Sequence, residues 1–205
     1  DRLAAKISEP AVLQALLSFD GILVGGQSPH QETVDLLKGL GVKVIESYGM
    51  AETCGGCVYD GEPLDGVKVE IIDGLVAISG TTLANGIGEQ YLSSDLGEIS
   101  GGRLTVLGRA DRVVISGGKK VSLDDMERQV SQLPEVESAM AVAIDSEWGQ
   151  SPSLLMVLKD SSRSEGFALD VEFAVKPAKV KIVEALPVLS SGKPDYMAAT
   201  AMIKD

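Results

Sequence analysis

The 205-residue sequence has little of what builds a histidine- or cysteine-based centre: one histidine, His30, and two cysteines, Cys54 and Cys57. A structural zinc site takes four such ligands, more than this inventory supplies. Cys54-Gly55-Gly56-Cys57 has the spacing of a redox dithiol or of half a zinc site. It lacks a thioredoxin-like setting, however, and reads as two reduced cysteines flanking a glycine turn. Basic residues are also scarce, 18 Lys and Arg against 30 Asp and Glu for a formal net charge of -12. Without a basic surplus to release counterions, a broad nucleic-acid footprint is excluded, and any anionic ligand has to be held by local features. No apolar run approaches the roughly 20 residues that span a bilayer, and no charged-then-apolar leader opens the chain, so a cytoplasmic location is expected. The first residue is Asp1 rather than Met, and helix-like sequence follows at once, which leads us to expect a piece of a longer protein.

With 44% hydrophobic and 23% charged residues, the chain has material for one large or two small domains. Leu3, Ile7, Val12, Leu13, Leu16 and Leu17 recur at helical spacing, and Ser8-Glu9-Pro10 breaks the run in two. Residues 21–26 read as a short buried strand, 31–40 as an amphipathic helix closed by Gly39 and Gly41, and 42–47 as a second strand. This strand-helix-strand unit over 21–47 predicts a parallel pair, whose ligands sit at the C-terminal strand ends. Gly25, Gly26, Gln27, Tyr48 and Gly49 fall there. From 64 to 107, short β-like runs at 67–72, 75–79 and 103–107 alternate with Asp-Gly, Asn-Gly and Gly-Gly turns, predicting a small antiparallel sheet or barrel. The pattern restarts near 108–111. A strand at 113–115, a Ser-Gly-Gly turn, a helix from a capping-box-like Ser122-Leu123-Asp124-Asp125, and strands at 139–144, 154–158 and 180–183 predict a compact α+β domain.

Asp95 stands in an uncharged neighbourhood, Tyr91-Leu92-Ser93-Ser94-Asp95-Leu96-Gly97. A carboxylate there can accept hydrogen bonds from both hydroxyls of a ribose, or it can simply close a turn. Arg109, after Gly108, offers a guanidinium fork to ribose or phosphate, or a surface ion pair. Ser116-Gly117-Gly118-Lys119-Lys120-Val121 is a glycine turn with two cations. Leu186-Pro187-Val188-Leu189-Ser190-Ser191-Gly192-Lys193-Pro194-Asp195 carries one ammonium at the tip of a Gly/Ser/Pro loop.

Taken in order, Tyr48-Gly49-Met50-Ala51-Glu52-Thr53, Ser94-Asp95, Gly108-Arg109-Ala110-Asp111-Arg112 and Gly192-Lys193 resemble the adenylate-forming superfamily of acyl-CoA synthetases, luciferases and peptide-synthetase adenylation domains. The resemblance runs from about Gly21 to Lys193. It implies that 1–108 is the end of a large α/β domain with a small β-barrel-like subdomain, that 109–111 is a hinge centred on Asp111, and that 112–205 is a mobile α+β domain. It also implies roles. Gly25, Gly26 and Gln27 lie beside adenine, the ring of Tyr48, which Gly49 follows in the nucleotide-binding motif, packs on it, Asp95 accepts from the ribose, Arg109 addresses the ribose or phosphate, and Glu52 holds Mg2+ bridging the phosphates of ATP. Ser116, Gly117, Gly118 and Lys119 line the tunnel for CoA, with Glu127 following on the same domain. Lys193 neutralises charge while a substrate carboxylate attacks the α-phosphate.

Departures from the pattern matter as much. Ala51 stands where the family has threonine, removing a hydroxyl donor to phosphate unless Thr53 or a water replaces it, and Ser94 replaces a more usual glycine. The family's Ser/Thr/Gly-rich phosphate loop does not occur in residues 1–47, nor does its upstream aromatic or histidine segment. The chain is therefore expected to be the C-terminal part of an enzyme and not to turn over alone. Residues 48–61 and the Ser-Gly-Gly-Lys-Lys-Val loop are most similar to o-succinylbenzoate-CoA ligases of menaquinone biosynthesis. A fatty, aryl or amino acid substrate, or a peptide-synthetase adenylation domain, remains an alternative. A non-catalytic acidic binding module is the competing class.

Overall fold

In the computed structural model, described for residues 6–26, 29, 31–146, 149–160, 162 and 167–204, the chain divides into two units, Asp1–Leu107 and Gly108–Asp205. The first begins with helix α1 (Pro10–Leu17), whose proline occupies the first turn, where its missing N–H leaves no bond unmade. Strand β1 (Ile22–Gly25), helix α2 (Gln31–Gly39) and strand β2 (Val44–Met50) form the expected unit, with β1 parallel to β2. Helix α2 turns Val34 and Leu37, three residues apart, onto Ile7, Val42 and Val44.

Strand β2 runs further than the sequence suggested. A 3-10 turn, Ala51–Thr53, folds the chain back as β3 (Gly55–Tyr59), antiparallel to β2, and β4 (Glu62–Pro63) completes a sheet in the order β1-β2-β3-β4. Tyr48 and Gly49 thus belong to the strand rather than to a loop beyond it. Gly55 and Gly56 are strand residues too, which corrects the glycine turn expected between the cysteines. The turn is made one step earlier, with Cys54 in the left-handed region at φ 56°. Both thiols are free, Cys54 exposed and Cys57 wholly buried.

A second sheet follows in the order β5 (Val67–Ile72), β6 (Leu75–Gly80), β7 (Gln90–Ser100) and β8 (Arg103–Arg109). Its β5-β6 and β6-β7 pairs are antiparallel, matching the expectation of an antiparallel sheet. Strand β7 is the element the sequence hid, because Ser93-Ser94-Asp95 and Gly97 mask its alternation. Cys57 and Val58 of the first sheet share one core with Val76, Ile78 and Leu104 of the second, and Tyr48 and Met50 pack against it.

The second unit is built on a sheet in the order β10 (Lys119–Ser122), β9 (Val113–Ser116), β12 (Gly149–Leu158), β11 (Val136–Ser146), with β13 (Val180–Ile182) parallel to β12. Residues 152–158 are all buried because helices cover both faces. Leu154, Met156 and Leu158 join Leu123, Met126 and Val130 of α3 (Leu123–Ser131) on one face, and Leu155 joins Ala199 and Ile203 of α4 (Tyr196–Lys204) on the other. Ser122 caps α3 by accepting the Asp125 N–H at 3.1 Å, half of the expected box, while the Asp125 carboxylate accepts from Gln129 and pairs with Arg128. Helix α4, not anticipated from the sequence, is capped by Asp195, whose carboxylate accepts the Ala198 N–H at 3.0 Å. Among the described residues, no helix is long and apolar enough to cross a membrane.

Candidate functional site

In the first unit the structure brings two pairs together. Between Leu92 and Leu96 the register of β7 slips against β6, which advances only from Ala77 to Leu75. Asp95 therefore sits on a bulge, a device that re-aims side chains, instead of closing a turn. Its N–H donates to Ser93 Oγ at 3.0 Å, and its carboxylate accepts the Tyr48 hydroxyl at 2.7 Å. Burial, opposed in part by Ser93 and reinforced by the Asp95 charge, pushes the Tyr48 phenol far above its ordinary value, so the tyrosine remains a donor. Four residues earlier on the same strand, Tyr91 donates to Glu52 Oε1 at 3.2 Å. Glu52 lies on the 3-10 turn after β2 and is half-buried.

Glu52 suits a magnesium ion that takes one protein carboxylate and fills its shell with phosphate oxygens and water. Among the described residues no group of three or more His, Cys, Asp or Glu is placed to hold a metal unaided. Ala51 is exposed and Thr53 is buried. The Thr53 hydroxyl accepts the Met50 N–H at 2.9 Å and lies 2.7 Å from Gly55 O, so it closes the turn and does not replace the missing threonine. Gly25 ends β1 and Gly26 follows it, both exposed, while Gln27 lies outside the described residues.

In the second unit Arg109 and Asp111 meet. The Arg109 guanidinium donates in a fork to the Asp111 carboxylate, Nε to Oδ1 at 2.9 Å and Nη2 to Oδ2 at 2.5 Å, and this pairing holds the Asp111 carboxyl below its ordinary range. Arg112 is more deeply set. It pairs with Asp124 and with Glu127 at 2.6 Å, donates to Ala141 O, and lies over the Tyr196 ring at 3.8 Å from the centroid. An open cleft of about 390 Å3 borders Arg109, Asp111, Arg112, Gln150, Tyr196 and Thr200. None of the Arg112 partners was assigned a role from the sequence. The legible signal was a pair of carboxylates, Asp124 and Glu127, three apart on one helix face.

Burial pushes the Glu127 carboxyl up to about 7, against the pull of Arg112 and of the Ala141 N–H. An unfolded glutamate titrates near about 4.3, so between these values the native state holds the extra proton. The contribution of this group is full below about pH 4.3 and is lost as pH rises through about 7. In denaturant melts, wild type should therefore lose stability relative to Glu127→Gln between pH 5 and pH 7, by on the order of 1 kcal/mol. A difference between the two proteins that is flat over this range would contradict the assignment.

Ser116, Gly117, Gly118 and Lys119 form a two-residue hairpin, with both glycines at positive φ and Lys119 paired with Ser116. The Ser116 side chain is buried, and Lys119 Nζ donates to Ala174 O at 3.4 Å. Lys193 is exposed on a loop closed by its own backbone, Leu189 N–H to Lys193 O and Gly192 N–H to Leu189 O, both at 2.8 Å. Its ammonium has no partner among the described residues.

No family model matches the sequence. It is 32% identical over 220 residues to a probable 2-succinylbenzoate--CoA ligase of Mycobacterium tuberculosis H37Rv, covering 96% of this chain and 57% of that protein. It is 26% identical over 166 residues to the 2-succinylbenzoate--CoA ligase of Escherichia coli K12, covering 71% of this chain and 37% of that protein. Among solved structures, o-succinylbenzoate coenzyme A synthetase (MenE) from Bacillus subtilis in complex with ATP and magnesium ion matches all of this chain and 54% of its own, with a TM-score of 0.72 and 20% identity. ATP-bound MatB from Rhodopseudomonas palustris matches all of this chain and 53% of its own, with a TM-score of 0.76 and 19% identity. The chain thus spans about half the length of these relatives. It resembles the adenylate-forming enzymes through most of its sequence, and it has the fold of the matching part.

Proposed function

We propose that this chain is the C-terminal part of an AMP-forming acid-CoA ligase acting on 2-succinylbenzoate, and that Tyr48, Asp95, Glu52, Arg109 and Lys193 serve its nucleotide and first transition state. The observation that carries the reading is the bulge in β7, which sets Asp95 against Tyr48 on one strand with the Tyr91 that holds Glu52. Sequence likeness to 2-succinylbenzoate-CoA ligases supports the choice of acid.

The half-buried Asp95 carboxylate accepts from the nucleoside hydroxyls, with Tyr48 fixing its orientation from behind. Glu52 would supply a ligand to Mg2+, whose charge would offset that of the phosphates of ATP. A carboxylate oxygen of the acid attacks the α-phosphorus, pyrophosphate departs, and Lys193 offsets the charge that builds on the phosphoryl oxygens. The thiol of CoA then attacks the acyl carbon and AMP leaves. The Gly117-Gly118 hairpin belongs to this second step, and Asp111 is where the backbone turns between the two. The enzyme is proposed to be cytoplasmic.

The chain contains no phosphate loop, so alone it should be silent. The test is an assay of the longer protein with ATP, Mg2+, 2-succinylbenzoate and CoA, run beside the 205-residue chain. AMP and the aryl thioester should appear only with the longer protein. Failure to form an acyl-adenylate with any aromatic or aliphatic acid would end this reading, whereas turnover of another acid alone would change only the substrate.

A further inference from the structure

We propose that Asp124 is a positioning residue that fastens the backbone on both sides of Asp111 to α3, and that rotation at Asp111 must open its bond to Arg109. The inference rests on the hinge role proposed above. Asp124 stands in the first turn of α3, and its two oxygens do different things. Oδ2 accepts the Arg109 N–H at 2.7 Å, and Oδ1 accepts Arg112 Nε. One carboxylate therefore spans the segment that contains Asp111.

The Arg112 end of the span is fixed to the helices that follow it. Arg112 is also gripped by Glu127 at 2.6 Å, by Ala141 O at 3.3 Å and by the Tyr196 ring, so whatever follows Asp111 travels with α3 and α4. Arg109 lies two residues before Asp111, and the tie described here is between its backbone N–H and Asp124. If the chain turns at Asp111, the N–H of Arg109 moves with the preceding residues while Asp124 stays with its helix, and the bond parts. Gly108 makes the tie possible. A Cβ there would lie 2.8 Å from Asp124 Oδ2 and would displace the carboxylate. A hydrogen bond to a charged acceptor shifts an equilibrium by about ten- to a hundredfold, enough to bias which of two hinge states is populated.

The first measurement is amide exchange in the 205-residue chain. Asp124→Ala should speed exchange of the Arg109 N–H about tenfold or more, while the amides of 126–130 in α3 keep their protection. Asp124→Asn, which retains an acceptor without the charge, should restore part of that protection. The second is kinetic, in the longer ligase. Asp124→Ala should change the ratio of adenylate formation to thioester formation from preformed adenylate by about tenfold, because only a hinge tie acts on one state and not the other. Unchanged Arg109 exchange, or equal changes in both half-reactions, overturns the proposal. A wild-type ligase that forms no adenylate instead shows that the functional reading has failed, and this inference falls with it.

Discussion

Lys193→Ala in the longer ligase should lower acyl-adenylate formation by about 10^2- to 10^3-fold while leaving thioester formation from preformed adenylate within a few-fold of normal. The expectation has a structural basis beyond the family likeness. Lys193 contributes its backbone carbonyl to the loop, accepting from Leu189 N–H, and Asp195 N–H closes onto Pro187 O. The side chain takes no part in that closure and is exposed, so truncation removes a cation without unravelling its support. Stopped-flow pyrophosphate release and a thioester assay read the two steps separately. Equal losses in both would strip the lysine of its step-specific role.

Gly49→Ala should be severely damaging to the first unit. A Cβ at this position would lie 1.9 Å from Gly55 O and 2.7 Å from Gly55 C and Gly56 Cα, all of them backbone. Side chains can rotate away from an intruder, but here β2 and β3 would have to separate where Gly49 pairs with Gly56. The neighbouring Tyr48 packs against the shared core of both sheets, so the disturbance spreads to it. A loss of about 3 kcal/mol, or a fall in Tm of on the order of 10–20 °C for this unit, is expected by calorimetry. A melt within a few degrees of wild type would mean that the two strands can part cheaply. The second unit's transition should stay where it was.

How far the sequence could be read depended on whether a pattern was local. The parallel unit from β1 to β2 was legible because Val34 and Leu37 repeat at helical spacing between two short apolar runs, and β5 and β6 because Asp73-Gly74 marks their hairpin. Strand β7 was not, since a bulge carrying Ser93, Ser94 and Asp95 destroys the alternation that reveals strands. The same bulge gives Asp95 its place, so the feature that hid the strand is the one that builds the candidate site. Cys54-Gly55-Gly56-Cys57 misled for a related reason. Glycine pairs usually mark turns, but these lie in β3 opposite Gly49, whose own lack of a side chain lets the two strands approach. The network around Arg112 was out of reach because its members are 12, 15 and 84 residues away and meet only when α3 and α4 have docked on their sheet. Thr53 looked like a spare hydroxyl in the sequence, and only its enclosure shows that it is occupied.

The two cysteines also give the chain a built-in reporter. Cys54 is open to reagents, whereas Cys57, three residues on, is sealed in the core, where burial raises its thiol above the ordinary value and keeps it unreactive. A maleimide dye would attach at one address in the folded molecule and at two in the unfolded one. That address is two residues from Glu52, which makes it a natural foothold for a fluorophore that senses loading of the neighbouring carboxylate, with no engineered cysteine required.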